Sequence, residues 1–394
     1  MKDKTPYRFS SQYPSLGRNP IPTAPYHDPQ FFLKEKERIF EVSWLNVGRE
    51  DEIRSPGQFF VRKLEVCSTS ILVVKGKDGV IRAFHNMCSH RGSPVTWENR
   101  GNCKSLFVCP FHAWSYDTKG KLVNITDEEQ FYDVQKADNG LAEVHVAVWQ
   151  GFIFVNLATT PDQTLTEYLG EAANSMEGYP FAKLQFSYLY EADEHVNWKL
   201  LQEAQLEGWH VPFLHKNTLA RTAATVGEPF RHAAIKCFGP HSMVASNAPA
   251  SYEPTPVASL SMKYGQGSYD AFASEQVSKD GEMNWHGAFD LYHIFPNFFI
   301  GLLQGSFFTY NIWPLAYDRT IWEVRLYYPR ALNAGELFSL EYGKCGLRDT
   351  LREDAYAHEK IQQVVGSKAK KVFHFQEEET AVRNFSRAVS ALIT

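Results

Sequence analysis

The sequence predicts an α+β protein in which a β-rich domain is joined to a mixed domain built on an antiparallel sheet. Short β-type runs between turn residues fill positions 44–157. A second set of apolar or alternating runs lies between 297 and 328 and predicts an antiparallel meander. An amphipathic pattern from Glu336 to about Gly366 then predicts one or two helices. The length of 394 residues is sufficient for two hydrophobic cores.

The N-terminal residues 1–27 are rich in proline, serine and tyrosine and predict an extended arm. Asp28 followed by Pro29 is typical of a helix start, so a helix is expected from Gln30 to about Phe40. From Trp44 the pattern changes to short strands. We therefore expect residues 1–43 to form an arm and a helix that pack on the second domain.

The first domain is expected at 44–160 and the second at 161–394, since Pro161 and the polar residues after it mark a boundary. Strands are predicted at 58–61, 70–74 and 152–155, with a hairpin turn at 75–79. In the second domain, residues 233–237 and 242–246 predict a hairpin. The predicted core positions of the C-terminal helix are Leu340, Leu347, Leu351, Ile361 and Val365.

Composition and charge exclude several classes of protein. A formal net charge of −5 disfavours an extended nucleic-acid-binding surface. The N-terminus shows no apolar signal-peptide segment, and the apolar run Phe298–Leu303 is too short to span a membrane. We therefore expect a cytoplasmic protein. Four cysteines have no framework spacing and are expected to be reduced thiols: Cys67, Cys103, Cys237 and Cys345.

Two short loops in the β-rich domain each carry one cysteine and one histidine. The first holds Cys88 and His90, and the second holds Cys109 and His112. A structural zinc site would more often pair two cysteines in one loop and two histidines in another. A [2Fe–2S] cluster with two inequivalent irons needs this mixed set, because two cysteines hold one iron and two histidines hold the other. The pattern favours the iron–sulfur cluster and leaves zinc as the alternative.

Aromatic residues follow the second pair, and we expect them to shield the cluster from water: Phe111, Trp114 and Tyr116. The run from Cys88 to Gly92, together with that from Cys109 to Asp117, resembles the Rieske domain of Rieske non-haem iron oxygenases. This is the ring-hydroxylating oxygenase alpha-subunit family. The resemblance implies a Rieske [2Fe–2S] domain, joined to a helix-grip (Bet v 1-like) catalytic domain that contains mononuclear iron.

A second group of metal-binding residue types lies between 197 and 215. Glu203, Glu207 and His210 share one face of a helix if that helix is continuous. His215 lies five residues after His210, so two ligands at this spacing require the helix to distort between them. Pro212 is placed to cause the distortion. The alternative is that these histidines are ordinary core or surface residues.

The family resemblance assigns roles to this segment. His210 and His215 match the two iron-binding histidines of the family. Glu207 matches the acid, usually aspartate, that links a Rieske histidine to an iron histidine across a subunit boundary. Two departures are visible: Glu207 is one methylene longer than aspartate, as in some members that act on quaternary amines, and Ala204 stands where many members have asparagine.

A third iron ligand is expected to be a carboxylate, because two histidines and one carboxylate form the facial triad of non-haem Fe(II) oxygenases. Composition does not single out one acid. The run from Glu353 to Gln362 resembles the family's C-terminal ligand helix, and the resemblance implies Asp354 as the ligand, with His358 as its nearest competitor. The other available acids are Asp193, Asp290, Asp349, Glu353 and Glu359.

The resemblance implies the terminal oxygenase of a multicomponent system, arranged as a homotrimer with head-to-tail contacts. It would use O2 and electrons from a separate NAD(P)H reductase, with or without a ferredoxin, because the sequence has no Gly-x-Gly-x-x-Gly or Walker loop. The expected reaction is cis-dihydroxylation or monooxygenation of an aromatic or other apolar small molecule. A different class of function, a non-catalytic electron-transfer or zinc-binding protein, remains open.

The substrate is weakly indicated by aromatic residues of the second domain. They suit an apolar pocket or a cage around a quaternary ammonium group, whose oxidation at an N-methyl or O-methyl group would end in demethylation. Their ordinary role is the core of the sheet. These residues are Trp285, Phe289, Phe295, Phe298, Phe299, Phe307 and Phe308.

Overall fold

The computed structural model describes residues 9–219, 232–246, 254–273, 289–303 and 305–393. The chain forms two compact units, Lys36–Tyr168 and Met1–Glu35 with Leu169–Thr394. The sequence placed these divisions after Ser43 and after Thr160. The predicted fold class is confirmed, since each unit contains an antiparallel sheet and the second adds the long helices. Within the described ranges, no helix combines the length and hydrophobicity that a membrane span needs.

The N-terminal arm contains a two-residue strand, β1 (Ile21–Pro22), and the first helix, α1 (Pro29–Glu35). The side chain of Asp28 accepts the backbone N–H of Gln30 at 2.9 Å, which satisfies a free donor at the start of α1. A π-helical turn, Lys36–Phe40, continues the helix. The predicted helix from Gln30 to Phe40 is therefore confirmed.

The Lys36–Tyr168 unit contains two antiparallel sheets. Seven strands form the larger sheet in the order β2-β11-β10-β5-β4-β3-β6, and β7, β8 and β9 form the smaller one. Their bounds are β2 Leu45–Arg49, β3 Gln58–Leu64, β4 Thr69–Lys75, β5 Ile81–His85, β6 Arg100–Asn102, β7 Phe107–Val108, β8 Ser115–Tyr116, β9 Leu122–Asn124, β10 Glu143–Trp149 and β11 Phe152–Asn156. The strands predicted at 58–61, 70–74 and 152–155 are confirmed.

The other unit is built on a second seven-stranded antiparallel sheet in the order β12-β18-β17-β16-β15-β14-β13. Its strands are β12 Gln185–Glu194, β13 His232–Phe238, β14 His241–Ser246, β15 Phe289–Ile294, β16 Phe298–Leu303, β17 Ser306–Ala316 and β18 Arg319–Tyr328. The predicted hairpin and meander are confirmed. A short strand near the C-terminus, β19 (Val372–Phe373), pairs with β1 and holds the arm to this unit.

The helices that follow in the chain are α2 Leu165–Asn174, α3 Trp198–Gln205, α4 Val211–Leu214, α5 Pro256–Ala273, α6 Ala334–Val365 and α7 Thr380–Ile393. The predicted C-terminal helix is a single element, α6. Its buried residues are Leu351, Asp354, His358 and Gln362. Of the predicted core positions only Leu351 is buried; Ile361 is 45% exposed, and Leu340, Leu347 and Val365 are half-buried.

The buried face of α6 is polar because its side chains have polar partners in neighbouring elements. Gln362 accepts the backbone N–H of Asn197 at 2.9 Å and donates to the carbonyl of Tyr26 at 3.2 Å. His358 pairs with Glu194 at 3.0 Å. Apolar residues at helical spacing therefore predict only Leu351 of the buried face of this helix.

Candidate metal centres

The two Cys/His loops of the β-rich unit have the same backbone turn. The first follows β5 and the second joins β7 to β8. The N–H of Gly92 donates to the carbonyl of Cys88, and the N–H of Ala113 donates to that of Cys109, each at 2.9 Å. Gly92 and Ala113 both adopt positive φ, 74° and 59°. The two loops therefore present their cysteine and histidine in equivalent ways.

The four predicted cluster residues lie together. The rings of His90 and His112 are 4.6 Å apart between centroids, and both cysteines are buried, with 2% exposure each. The two imidazoles are only half-buried. Cys88 Sγ lies 3.2 Å from the hydroxyl of Tyr116, which also accepts the N–H of Ser89 at 3.0 Å. The structure thus places the sulfur donors inside and the imidazoles towards the surface.

These residues fit a metal cluster chemically. Burial raises the pKa of the Cys88 thiol, so a thiolate at this position needs a compensating positive charge such as a metal. Of the predicted shielding residues, Trp114 and Tyr116 are buried, and Trp114 stacks on His90 at 5.1 Å. Phe111 is 53% exposed, and its ring lies 3.9 Å from that of His112, so it covers this imidazole on the surface side of the loop.

His210, His215 and Asp354 are brought together in the other unit, with ligand atoms all within 4.8 Å of one another. The two Nε2 atoms are 3.2 Å apart. Asp354 Oδ1 lies 3.0 Å from His215 Nε2 and 3.5 Å from His210 Nε2. Although Asp354 is buried, its Oδ1 has no hydrogen-bond donor in good geometry among the described residues. Three donors converging in this way fit one metal ion.

The path of the chain through this site differs from the predicted bent helix. Helix α3 ends at Gln205, so Glu207 and His210 lie in the break that follows and share no helical face with Glu203. His210 is the residue before α4, and Pro212 lies in the first turn of that helix. The proline therefore starts a new helix rather than distorting an existing one. His215 follows α4 directly, and this short turn brings both imidazoles to one point.

Each imidazole is oriented by a carboxylate on its other nitrogen. Glu207 Oε1 contacts Nδ1 of His210, and Glu353 Oε2 lies 2.9 Å from Nδ1 of His215. Burial lowers the pKa of each histidine, but its carboxylate partners outweigh that effect and raise both pKa values. Such contacts leave Nε2 of each ring free to bind metal. Three carboxylates around two imidazoles also give the site the negative charge that attracts a cation.

The competing ligands have other partners. His358 points to Glu194, and Asp290 is buried on β15. The remaining acids are bound elsewhere: Asp193 by Arg319 at 2.6 Å, Asp349 by Arg348 at 2.8 Å, and Glu359 by the N–H of His195 at 3.1 Å. Glu353 was considered only as a ligand, so its role as the partner of His215 was missed. The sequence feature that could have indicated this role is the position of Glu353 beside Asp354. Adjacent residues on a helix point in different directions, so the two acids cannot both bind the metal in the same way.

Two family models match the chain. One is described as "Ring hydroxylating alpha subunit (catalytic domain)" and matches residues 181–394, and the other, "Rieske [2Fe-2S] domain", matches residues 43–146. The chain belongs to the ring-hydroxylating oxygenase alpha-subunit family. The two matched domains of this alpha subunit imply a Rieske [2Fe–2S] cluster and a mononuclear iron, in agreement with the two groups of donors described above.

Curated relatives of the alpha subunit include enzymes of two chemical groups. Choline monooxygenase of Spinacia oleracea is 32% identical over 215 residues, 53% of this chain and 48% of the relative. The 2-aminobenzenesulfonate 2,3-dioxygenase alpha subunit of Alcaligenes sp is 35% identical over 214 residues, 53% of this chain and 52% of the relative. The matched region thus spans about half the length of these relatives.

Solved structures share the fold over nearly the whole alpha subunit. A quaternary ammonium Rieske monooxygenase aligns with a TM-score of 0.78 over 100% of both chains, at 18% identity. Naphthalene 1,2-dioxygenase from Rhodococcus sp. aligns with a TM-score of 0.77 over 95% of this chain and 94% of that chain, at 22% identity. At these identities the likeness concerns the fold alone.

Replacing Glu353 by glutamine is expected to weaken iron binding on the order of 10- to 100-fold, the usual effect of losing an outer-shell partner. The carboxylate holds Nδ1 of His215 and also accepts the hydroxyl of Thr218 at 2.7 Å. Metal titration of the apoprotein measures the affinity. Glu359→Gln is a matched control on the same helix and should bind iron as the wild type does. Unchanged affinity in Glu353→Gln would contradict the orienting role.

Proposed function

We propose that this alpha subunit is the terminal oxygenase of a multicomponent Rieske system. The observation that carries the proposal is the convergence of His210, His215 and Asp354, with Nδ1 of each imidazole held by its own carboxylate. Two histidines and one carboxylate on one side of an iron leave positions for O2 and substrate. A purely structural metal site would instead close its coordination with protein ligands.

Bound in these sites, the Rieske cluster would supply single electrons and the mononuclear iron would activate O2. We propose Cys88 and Cys109 as ligands of one cluster iron, and His90 and His112 as ligands of the other. Both cysteines are buried, with Cys88 Sγ beside Tyr116, whereas both imidazoles are half-buried, and this supports electron entry through the histidine side. NAD(P)H would be oxidised by a separate reductase, with or without a ferredoxin.

We also propose that Glu207 links the two kinds of centre. Its Oε1 contacts Nδ1 of His210, and its Oε2 accepts the backbone N–H of His210 at 3.1 Å, so the carboxylate is fixed beside the iron-binding imidazole. In a head-to-tail homotrimer it would hydrogen-bond to His112 of a neighbouring copy. One of the solved relatives is described by its inter-subunit electron transfer, which supports this arrangement.

For the substrate we propose first an aromatic or other apolar small molecule, converted by cis-dihydroxylation or monooxygenation. The described aromatic candidates act mainly as sheet core: Phe307 stacks on Tyr327 at 4.3 Å, and Phe308 packs on Phe289 and Tyr310. Trp285 lies outside the described residues. The proposal therefore rests more on the aromatic dioxygenase relatives than on the described aromatic side chains.

A second candidate is a quaternary ammonium or N-methyl substrate, oxidised by a monooxygenase reaction that ends in demethylation where a methyl group is attacked. Two observations favour it. The bridging acid is Glu207 rather than the shorter aspartate, and the relatives include choline monooxygenases and a glycine betaine monooxygenase of Chromohalobacter salexigens that is 32% identical over 203 residues, 52% of this chain and 44% of that relative.

Metal and product analysis of the purified protein tests the proposal. About three irons and two acid-labile sulfides per chain are expected for one [2Fe–2S] cluster and one mononuclear site. Two irons with two sulfides would reduce the chain to an electron-transfer protein, and a single zinc would contradict both cofactors. With a reconstituted reductase, arenes should yield cis-diols or phenols if the first substrate class is right. Release of formaldehyde from N-methyl compounds would select the second.

A further inference from the structure

A cavity of about 270 Å³ lies between the N-terminal arm, α1, α3 and α7, within the unit that contains the histidine–aspartate site. None of His210, His215 and Asp354 lines it. Its volume approaches that of ordinary small-molecule pockets. Part of the lining is apolar: Ile21, Ala24, Phe31, Val389 and Ile393. The polar part consists of Tyr26, Lys199, Glu203, Ser386 and Ser390, so the lining suits an amphipathic ligand.

The positive charge in the lining already has a partner. Lys199 Nζ lies 2.5 Å from Oε1 of Glu35, and both side chains are almost completely buried. The indole N–H of Trp198 donates to the other oxygen of Glu35 at 2.9 Å. An ammonium group and a carboxylate in such contact compensate each other's charge. Lys199 is therefore a poor attractor for an anionic ligand.

The acid of the lining, Glu203, is hydrogen-bonded to a neutral hydroxyl rather than paired with a cation of the described residues. The hydroxyl of Tyr26 donates to its Oε1 at 2.7 Å, and the side chain is 7% exposed. Burial raises the pKa of Glu203 to about 8, although the hydrogen bond from Tyr26 and the charge of Lys199 act in the opposite direction. Two carboxyl groups thus share one ammonium group. With a pKa of about 8, Glu203 is mostly protonated near neutral pH, and a second cation in the cavity would stabilise its ionised form.

Aromatic faces beside the cavity add to this preference. The rings of Tyr26 and Phe31 both line it, and both already lie near an ammonium group, with Lys199 Nζ 5.6 and 5.5 Å from their centroids. Aromatic faces attract cations through their quadrupole. The same two rings therefore favour a cationic head over an anionic one.

We propose that this cavity binds a small amphipathic organic ammonium ion, whose head pairs with Glu203 and whose hydrocarbon part lies against the apolar residues of α7. A carboxylate ligand would meet Glu203 and a lysine that is already paired with Glu35. A neutral ligand would form no ion pair with Glu203. The site is distinct from the proposed iron centre and does not depend on which substrate that centre oxidises.

The test uses n-hexylammonium as the probe, with hexanoate and 1-hexanol as controls of the same chain length. Calorimetry on the holoprotein should show saturable binding of hexylammonium alone. Glu203→Gln should weaken it at least about tenfold, because a charge-assisted contact is lost. Ser386→Leu places a larger side chain on the α7 side of the cavity and should abolish binding. Both variants should keep the Rieske spectrum and the iron content of the wild type.

Binding should also tighten between pH 6.5 and pH 9, since ionised Glu203 pairs with the ligand and its pKa is about 8. The groups that face Glu203 are Tyr26, Lys199 and Glu379, and the pKa of Glu379 is raised to about 7 by burial.

Equal affinity in Glu203→Gln, tighter binding of hexanoate, or no binding at all would overturn the proposal. If Glu203→Gln fails to fold, Ser386→Leu decides, and unchanged binding there would place the ligand elsewhere. None of these outcomes alters the metal analysis that tests the oxygenase.

Discussion

Asp354→Ala is expected to lose the mononuclear iron and all oxygenation, while the visible spectrum of the Rieske cluster remains that of the wild type. The carboxylate lies 3.0 Å from Nε2 of His215 and 3.5 Å from Nε2 of His210, and it is the only acid of the described residues grouped with both. Without it, two neutral imidazoles remain, a set that binds Fe(II) weakly. Iron analysis and product formation with a reconstituted reductase measure the two effects.

Two further variants make this experiment decisive. Asp349→Ala removes an exposed acid of the same helix that pairs only with Arg348 among the described contacts, and it should retain both iron and turnover. His358→Ala tests the competing ligand, which the structure pairs with Glu194 at 3.0 Å. Retention of iron and turnover in Asp354→Ala, together with their loss in His358→Ala, would show that the third ligand has been assigned to the wrong residue.

The cluster loops were predictable from the sequence because all of the chemistry there is local. The spacing of Cys88 and His90, and of Cys109 and His112, lies within single turns, and the residues that form those turns are adjacent in the chain. The exposure of Phe111 was not predictable in the same way. An aromatic residue beside the cluster loops can be buried, or it can cover an imidazole from the solvent side, and only the direction of the loop decides between these positions.

The histidine–aspartate site depends on contacts between distant parts of the chain, and here prediction from residue spacing failed in two places. The helix break after Gln205 was placed too late, because Pro212 was interpreted as a kink rather than as the first turn of α4. The buried face of α6 was placed on apolar positions, although its burial is determined by partners such as Asn197 and Glu194. Asp354 itself was identified through family resemblance, since its two histidine neighbours are far from it in sequence.

The structure also explains why two neighbouring acids of α6 have different roles. Glu353 holds Nδ1 of His215, whereas Asp354 faces the Nε2 atoms of both histidines. Adjacent helical residues differ by about 100° in direction, so one pair can orient a ligand and also supply one. Residue spacing and composition left these two acids equivalent, and only the family resemblance favoured Asp354. The difference between their roles follows from the position that α4 gives His215 relative to α6.

Glu207→Gln is expected to slow electron transfer from the reduced Rieske cluster to the mononuclear iron on the order of 10- to 100-fold, with both metals still bound. Glutamine has the same size but lacks the charge that strengthens hydrogen bonds to imidazole. In the structure Glu207 contacts Nδ1 of His210 and is fixed by two backbone N–H groups, those of Trp209 and His210. Single-turnover oxidation of the cluster, with substrate and O2 present, measures the rate.

The matched control for this prediction is Glu353→Gln, loaded with iron at saturating concentration. It makes the same substitution beside His215, the other histidine proposed to bind iron, which lies off the proposed electron path. Its rate of cluster oxidation should therefore stay close to that of the wild type. Glu207→Asp tests whether side-chain length matters, because the shorter side chain must span the same gap to His112 of a neighbouring copy. Cluster oxidation should be slow in this variant even though the charge is kept. Wild-type rates in Glu207→Gln would leave Glu207 as a positioning partner of His210 alone and remove it from the electron path.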